Sequence, residues 1–124
     1  MSKLCLNTRD DMLIIDLDLV AFAHANGNYT EITYISGQKQ LITIGLSKVE
    51  DFIRSSRAKG SSTFVRMGRS LIINQHYFYA INILKQRLVL SDYCNHSFAI
   101  QVPKQLLKEY KKAMALRYAA KEEE

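Results

Sequence analysis

Phe64-Val65-Arg66-Met67-Gly68-Arg69-Ser70-Leu71-Ile72-Ile73-Asn74 sets two arginines inside an otherwise apolar, β-branched strand pattern. A strand has no need of arginines there, whereas a ligand does. The run reads as an extended segment interrupted at Gly68, the residue best able to take a tight bend or to let another backbone approach closely. Arg66 and Arg69 flank that break. Side chains alternate faces along a strand, so a separation of three puts the two arginines on opposite faces if the strand is regular. A bulge at Gly68 would bring both to one edge.

The chain around this stretch repeats the same grammar. From Met12 onward, short runs rich in Ile, Val, Tyr and Thr are cut by turn residues, the pattern of an all-β core. Met12 to Asp16 and Asp18 to Ala25 read as the first strands. Asn26-Gly27-Asn28 follows as a hairpin signal, because Asn and Gly tolerate positive φ. Tyr29 to Ile35, the turn Ser36-Gly37-Gln38 and Gln40 to Ile44 complete a meander whose members should pair antiparallel. Further strands are expected over 64–67, 70–74, 78–83, 87–90 and 97–102.

Two helices interrupt the strands. Ser47-Lys48-Val49-Glu50 has capping-box spacing, and Val49, Phe52 and Ile53 make an apolar stripe, so a short helix is predicted over about 47–57, closing one end of the sheet. A polar loop, 57–63, follows it. Pro103 sits where the first residue of a helix would lie. Leu106, Leu107, Tyr110, Ala113 and Met114 then recur at three and four residues, which predicts a C-terminal helix over about 103–118. Its other face carries Lys104, Lys108, Lys111 and Lys112, read first as a solvated face.

The 124 residues suit one domain, 1–124, with a core over about 10–110. Hydrophobic content of 48% with 23% charged residues is ordinary for a soluble protein. No apolar run approaches the roughly 18 residues of a membrane span, and no signal peptide is evident. Cys5 and Cys94 lack paired spacing, so the expectation is two buried, unpaired thiols in a reducing cytoplasm. The net charge of +5 lies wholly in the second half: residues 63–124 carry ten Lys/Arg against five Asp/Glu, and residues 1–62 carry seven of each. That half should face an anion such as nucleic acid.

Catalysis finds little support. His24, His76 and His96 are scattered, and Cys94-Asn95-His96 is the only spacing with any likeness to a metal site. No cofactor or metal is expected. Asp16 and Asp18 are explained by turn formation, and no phosphate-binding glycine loop or nucleophile motif is present. Anion recognition is better served. Asn26 to Tyr29, Arg66 to Ser70 and Pro103 to Gln105 place polar side chains where strands end, and loops on a rigid sheet are good recognition sites. Arg69 suits bidentate contact with guanine, Asn28 with adenine, and helix-start amides near Lys104 suit a phosphate.

At this point the residues resemble a family. Asp18 to Thr30, with its acidic start and Gly-Asn-Tyr tip, is similar to the opening of the LytTR DNA-binding domain, and Phe64 to Asn74 resembles that family's most recognisable block. The helix Leu46 to Ile53 lies between them, and Phe98 to Leu107 is similar to the final strand running into the last helix. The resemblance implies a mainly β, elongated fold of antiparallel sheets, about ten short strands with one short internal helix and a C-terminal helix. It implies a non-enzymatic bacterial transcription regulator, similar to response regulators, that binds double-stranded DNA through loops at promoter direct repeats. A second copy on the DNA and an inhibitory or sensor protein are the partners it suggests. Carried over motif by motif, the principal contacts fall on or beside Tyr29 and on Arg69 and Lys104, with Asn28, Thr30, Arg66 and Ser70 in support. On the DNA-binding reading, Lys108 should add to affinity for all sequences alike.

Gly68 stands where the family commonly has histidine, and Pro103-Lys104 replaces a common Ser-Arg, so base preference at both loops should differ from relatives. Only about ten residues precede the expected core, which leaves no room within this chain for the receiver domain that family members often carry. Two rival readings are a β-rich protein-interaction module using Tyr77, Phe78 and Tyr79, and an RNA-binding β-barrel stacking bases on Tyr29.

Overall fold

The structure, a computed structural model, describes residues 3–56 and 63–118. The expected polar loop falls almost wholly on residues 57–62, outside the described residues. Among the described residues, ten strands form three antiparallel sheets. Strands β1 (Lys3–Asn7) and β2 (Met12–Asp16) make a two-stranded ribbon. The central sheet has the order β5-β4-β3-β7-β6, with β3 Val20–Asn26, β4 Tyr29–Tyr34, β5 Lys39–Ile42, β6 Phe64–Met67 and β7 Leu71–Asn74. Strands β8 (Phe78–Asn82), β9 (Arg87–Ser91) and β10 (Ser97–Gln101) form the third sheet, in the order β10-β9-β8. Helix α1 spans Leu46–Ser55 and α2 spans Lys104–Tyr118.

The central sheet is buried on both faces, and that explains its composition. One face packs Val20, Ala23, Ile32 and Ile72 against Leu4, Leu6 and Ile15 of the ribbon and Leu46, Val49 and Ile53 of α1. The other packs Ala21, Met67, Leu71 and Ile73 against Leu88 and Leu90 of β9 and Leu107, Tyr110 and Met114 of α2. All four residues of β7 are buried, as a strand sandwiched between layers requires. Ile72 and Ile73 are 1% and 0% exposed and serve opposite cores. Burying each is worth roughly 1.5–3 kcal/mol, so this dipeptide ties the two clusters together.

Four expectations need correction. The chain before Met12 is not a lead-in: β1 pairs with β2 along its length, and Leu4 and Leu6 are in the core. Helix α1 lies against a face of the central sheet and does not plug its end. It starts after Gly45 with no side-chain cap, so Ser47 and Glu50 do not form a capping box. Both thiols are free but exposed, not buried: Cys5 lies on the outer face of the ribbon opposite Ile14, and Cys94 lies in the loop after β9.

The junctions between layers are pinned by polar side chains. Asp16 caps a single 3-10 turn, Leu17–Leu19, by accepting from Asp18 N at 3.1 Å, the turn role expected for these acids. Asn74 caps a second such turn, Gln75–Tyr77. Its amide donates to the carbonyls of Leu17 (3.3 Å) and Val20 (2.9 Å), while its oxygen accepts from His76 N (3.0 Å) and Thr63 Oγ1 (2.7 Å). The Tyr77 hydroxyl donates to the Asp18 carbonyl, joining the two turns.

Candidate nucleic-acid interface

The broken strand around Gly68 is a hairpin. Met67 pairs with Leu71, leaving Gly68-Arg69-Ser70 as a three-residue turn between β6 and β7. Gly68 takes φ +75°, a left-handed conformation that L side chains resist. A Cβ on it would also stand 2.9 Å from Leu106 Cδ1 in the first turn of α2. The glycine therefore lets the turn bend and lets α2 approach it.

That contact joins two of the expected loops. The third is joined through the sheet: β3 pairs with β7, and beyond their ladder Ala25 N donates to the Ser70 carbonyl at 2.9 Å. The β3–β4 hairpin closes with Asn26 opposite Tyr29, a two-residue turn with Gly27 at φ +64° in its first position. Asn28 packs beside Gly45, the residue before α1. The hairpin tip, the 68–70 turn and the starts of both helices are thus neighbours, although 78 residues of sequence separate Asn26 from Lys104.

The expected site residues do not all face outward. Asn28, Tyr29, Arg69, Ser70, Lys104 and Lys108 are exposed, and Lys108 lies one helical turn beyond Lys104. Tyr29 leaves 46% of its surface open at the hairpin tip. Among the described residues, Arg69, Lys104 and Lys108 make no ion pair. Thr30, by contrast, is completely buried, and its hydroxyl donates to the Ile44 carbonyl at 2.9 Å, so its side chain fastens the hairpin to the bend between β5 and α1.

Arg66 faces inward as well. Its Nε donates to the Gly68 carbonyl (2.8 Å) and Nη2 to the Arg69 carbonyl (2.9 Å). Nη1 meets Glu50 Oε1 of α1 at 2.7 Å, and Ser47 Oγ lies 3.4 and 3.5 Å from Nη1 and Nη2. A guanidinium has five N–H donors, and five contacts are made within the protein. Glu50 gives its other oxygen to Arg54 at 2.7 Å. Ser47 and Glu50 are the site-adjacent residues that sequence reading missed. Their only signal, Ser-x-x-Glu at a helix start, has capping as its commoner meaning.

The remaining chemistry-bearing side chains have local roles. His24 meets Glu31, its neighbour across the hairpin, at 3.3 Å. In the loop after β9, the Asp92 carboxylate accepts from Cys94 N (2.9 Å) and His96 N (3.1 Å) and meets His96 Nδ1 at 3.0 Å. The Cys94 amide and then the His96 ring hold its carboxyl down at about 2. Among the described residues, no three His, Cys, Asp or Glu side chains come close enough to hold a metal ion. No described helix is long and apolar enough to cross a membrane.

No family model matches the sequence, and no curated protein matches it. A solved structure does: a LytTr DNA-binding domain from Bacillus cereus superposes with a TM-score of 0.61, covering 92% of this chain and 97% of that one at 18% identity. The fold is therefore that of a LytTR-type domain.

Proposed function

We propose that this chain is a LytTR-type double-stranded DNA-binding domain that reads base sequence through turns and serves a cytoplasmic bacterial transcription regulator, without catalysis. The observation that carries the proposal is the meeting, on this fold, of the β3–β4 tip, the 68–70 turn and the start of α2, with Tyr29, Arg69 and Lys104 exposed on them. Arg69 leaves the 68–70 turn exposed and without an ion pair, its guanidinium available for a guanine edge, the contact for which that group is best shaped. Lys104 and Lys108 follow one face of α2 and supply charge to phosphates, which sets affinity more than sequence choice. Binding of two copies at phased repeats would multiply a modest single-site affinity.

The test is selection of the protein against a random duplex library, followed by anisotropy titrations of the selected sequence and a scramble at two salt concentrations. Arg69→Ala should cost about 1–3 kcal/mol on the selected duplex and relax preference at one base position. Lys108→Ala should weaken both duplexes alike and lower the salt slope by about one. Equal losses on selected and scrambled DNA for Arg69→Ala would remove Arg69 from base reading. Selection without enrichment would refute the proposal as a whole.

A further inference from the structure

We infer that Glu50 and Ser47 of α1 are positioning residues for base reading, acting through Arg66, which is itself a brace and not a DNA contact. The inference rests on the DNA-binding reading above and says how its recognition turn is aimed. Two neighbouring donors on one edge of the Arg66 guanidinium take the successive carbonyls of Gly68 and Arg69. The orientation of the two peptide groups around Arg69 is thereby fixed, and with it the direction in which the Arg69 side chain leaves the turn. The guanidinium cannot turn away, because Glu50 Oε1 holds Nη1 at 2.7 Å and Ser47 Oγ lies against both terminal nitrogens. Arg66 and Glu50 side chains are only 24% and 23% exposed, so solvent and salt screen the pair less than a surface one.

The brace has a consequence whose sign is unusual. Glu50 is an anion beside a surface that binds an anion, so its removal by charge alone should tighten DNA binding. As a positioning residue, its removal should instead loosen specific binding. Lysine in place of Arg66 keeps the charge but loses the planar fork that collects two carbonyls at once.

The experiment compares Glu50→Ala, Glu50→Gln, Ser47→Ala, Arg66→Lys and Arg66→Ala with Arg69→Ala on the selected duplex, its single-base variants and a scramble, over a salt series. Urea unfolding confirms that each variant is folded. Glu50→Ala and Arg66→Lys should lose discrimination at the same base position as Arg69→Ala, up to the roughly 5- to 150-fold that a specific contact is worth. The salt slope should stay unchanged, and Glu50→Ala should bind the scramble as well as the parent or better. Glu50→Gln, which can still accept from Nη1, should recover part of the discrimination, and Ser47→Ala should lose least. Combining Glu50→Ala with Arg69→Ala should add little to Arg69→Ala alone.

Two results would overturn the brace. One is Arg66→Ala lowering the salt slope by about one with discrimination intact, which would make Arg66 a phosphate contact. The other is Glu50→Ala tightening specific binding. If the parent protein selects no duplex, the DNA-binding reading fails, and the brace is judged in the free protein by NMR hydrogen exchange at Arg66 Nε–H. Exchange should be slow in the parent and fast in Glu50→Ala, and equal rates would end the inference.

Discussion

Replacing Asn74 by leucine keeps the branched shape of the side chain at a somewhat larger volume and deletes the side-chain hydrogen bonds that tie β7 to the two 3-10 turns. Asn74 is 2% exposed and has four partners. Two are the carbonyls of Leu17 and Val20, reached from 57 and 54 residues away. Leucine takes this partner from the Val20 carbonyl and the His76 N–H in a place where water has little access, while the Leu17 carbonyl keeps the bond from Val20 N that closes its turn. Each of the two orphaned groups costs about 1–3 kcal/mol, and small shifts recover part of the sum, so a loss of about 2–4 kcal/mol is expected. Against the 5–15 kcal/mol typical of a domain, roughly, that is a large fraction. Urea unfolding followed by circular dichroism measures it, with an unchanged slope as the sign that both end states are preserved. Asn74→Asp separates donors from acceptors: a carboxylate still accepts from His76 N and Thr63 but offers nothing to the carbonyls. It should be nearly as damaging as leucine. A loss below about 1 kcal/mol for Asn74→Leu, or full stability in Asn74→Asp, would refute the assignment of Asn74 as the donor that locks β7 to β3.

Gly68→Ala should lower stability by about 1–2 kcal/mol through its left-handed φ, with the 2.9 Å approach to Leu106 Cδ1 relieved by rotation of that side chain; urea unfolding checks this, and an unchanged midpoint would contradict it. Thr33 is completely buried in β4, and its hydroxyl has no hydrogen-bond partner among the described residues, so the nearly isosteric Thr33→Val should stabilise by about 1 kcal/mol. A loss on the same assay would show that the hydroxyl is satisfied. Burial, with a smaller contribution from Tyr118, pushes the Tyr110 phenol up to about 12, while its hydroxyl bonds to Gln75 Oε1 at 3.0 Å. The unfolded phenol ionises near 10, so the Tyr110 contribution is complete below about pH 10 and is lost as pH rises toward 12. Urea midpoints from pH 9 to 11 should therefore fall more steeply in the parent than in Tyr110→Phe, and parallel declines would contradict the burial of this phenol.

The strands were legible wherever a run was long and bounded by turn residues. Asn26-Gly27-Asn28 gave its hairpin, and the Phe64 to Asn74 block gave two strands and the bend at Gly68. Lys3–Asn7 was not legible, because two leucines alternating with polar residues make too short a pattern to stand out; its strand exists because the ribbon covers a core face that the central sheet supplies. The cysteines failed for a different reason. Average burial of a residue type says nothing about which side of a strand it occupies, and pairing places Cys5 on the same side as the exposed Ile14. The lysine row of α2 and its buried Leu107, Tyr110 and Met114 came directly from period, since a helix on a sheet has one wet face and one dry one.

The two arginines of the Phe64 to Asn74 block show where the reading of a site from sequence must stop. They are three residues apart, equally basic and flank the same glycine, so local pattern treats them alike. Their fates differ because of α1. The helix lies on the central sheet through Leu46, Val49 and Ile53, and that seating carries Ser47 and Glu50 to the β6 side of the turn. Arg66 is on β6 and meets a carboxylate; Arg69 is in the turn and meets solvent. Which arginine faces outward is thus decided by an apolar stripe on another element, the same helix that carries Glu50 16 residues upstream of Arg66. Repacking that stripe, with every polar residue left in place, should loosen Arg66 from Glu50 and speed hydrogen exchange at Arg66 Nε–H; unchanged exchange would refute this account.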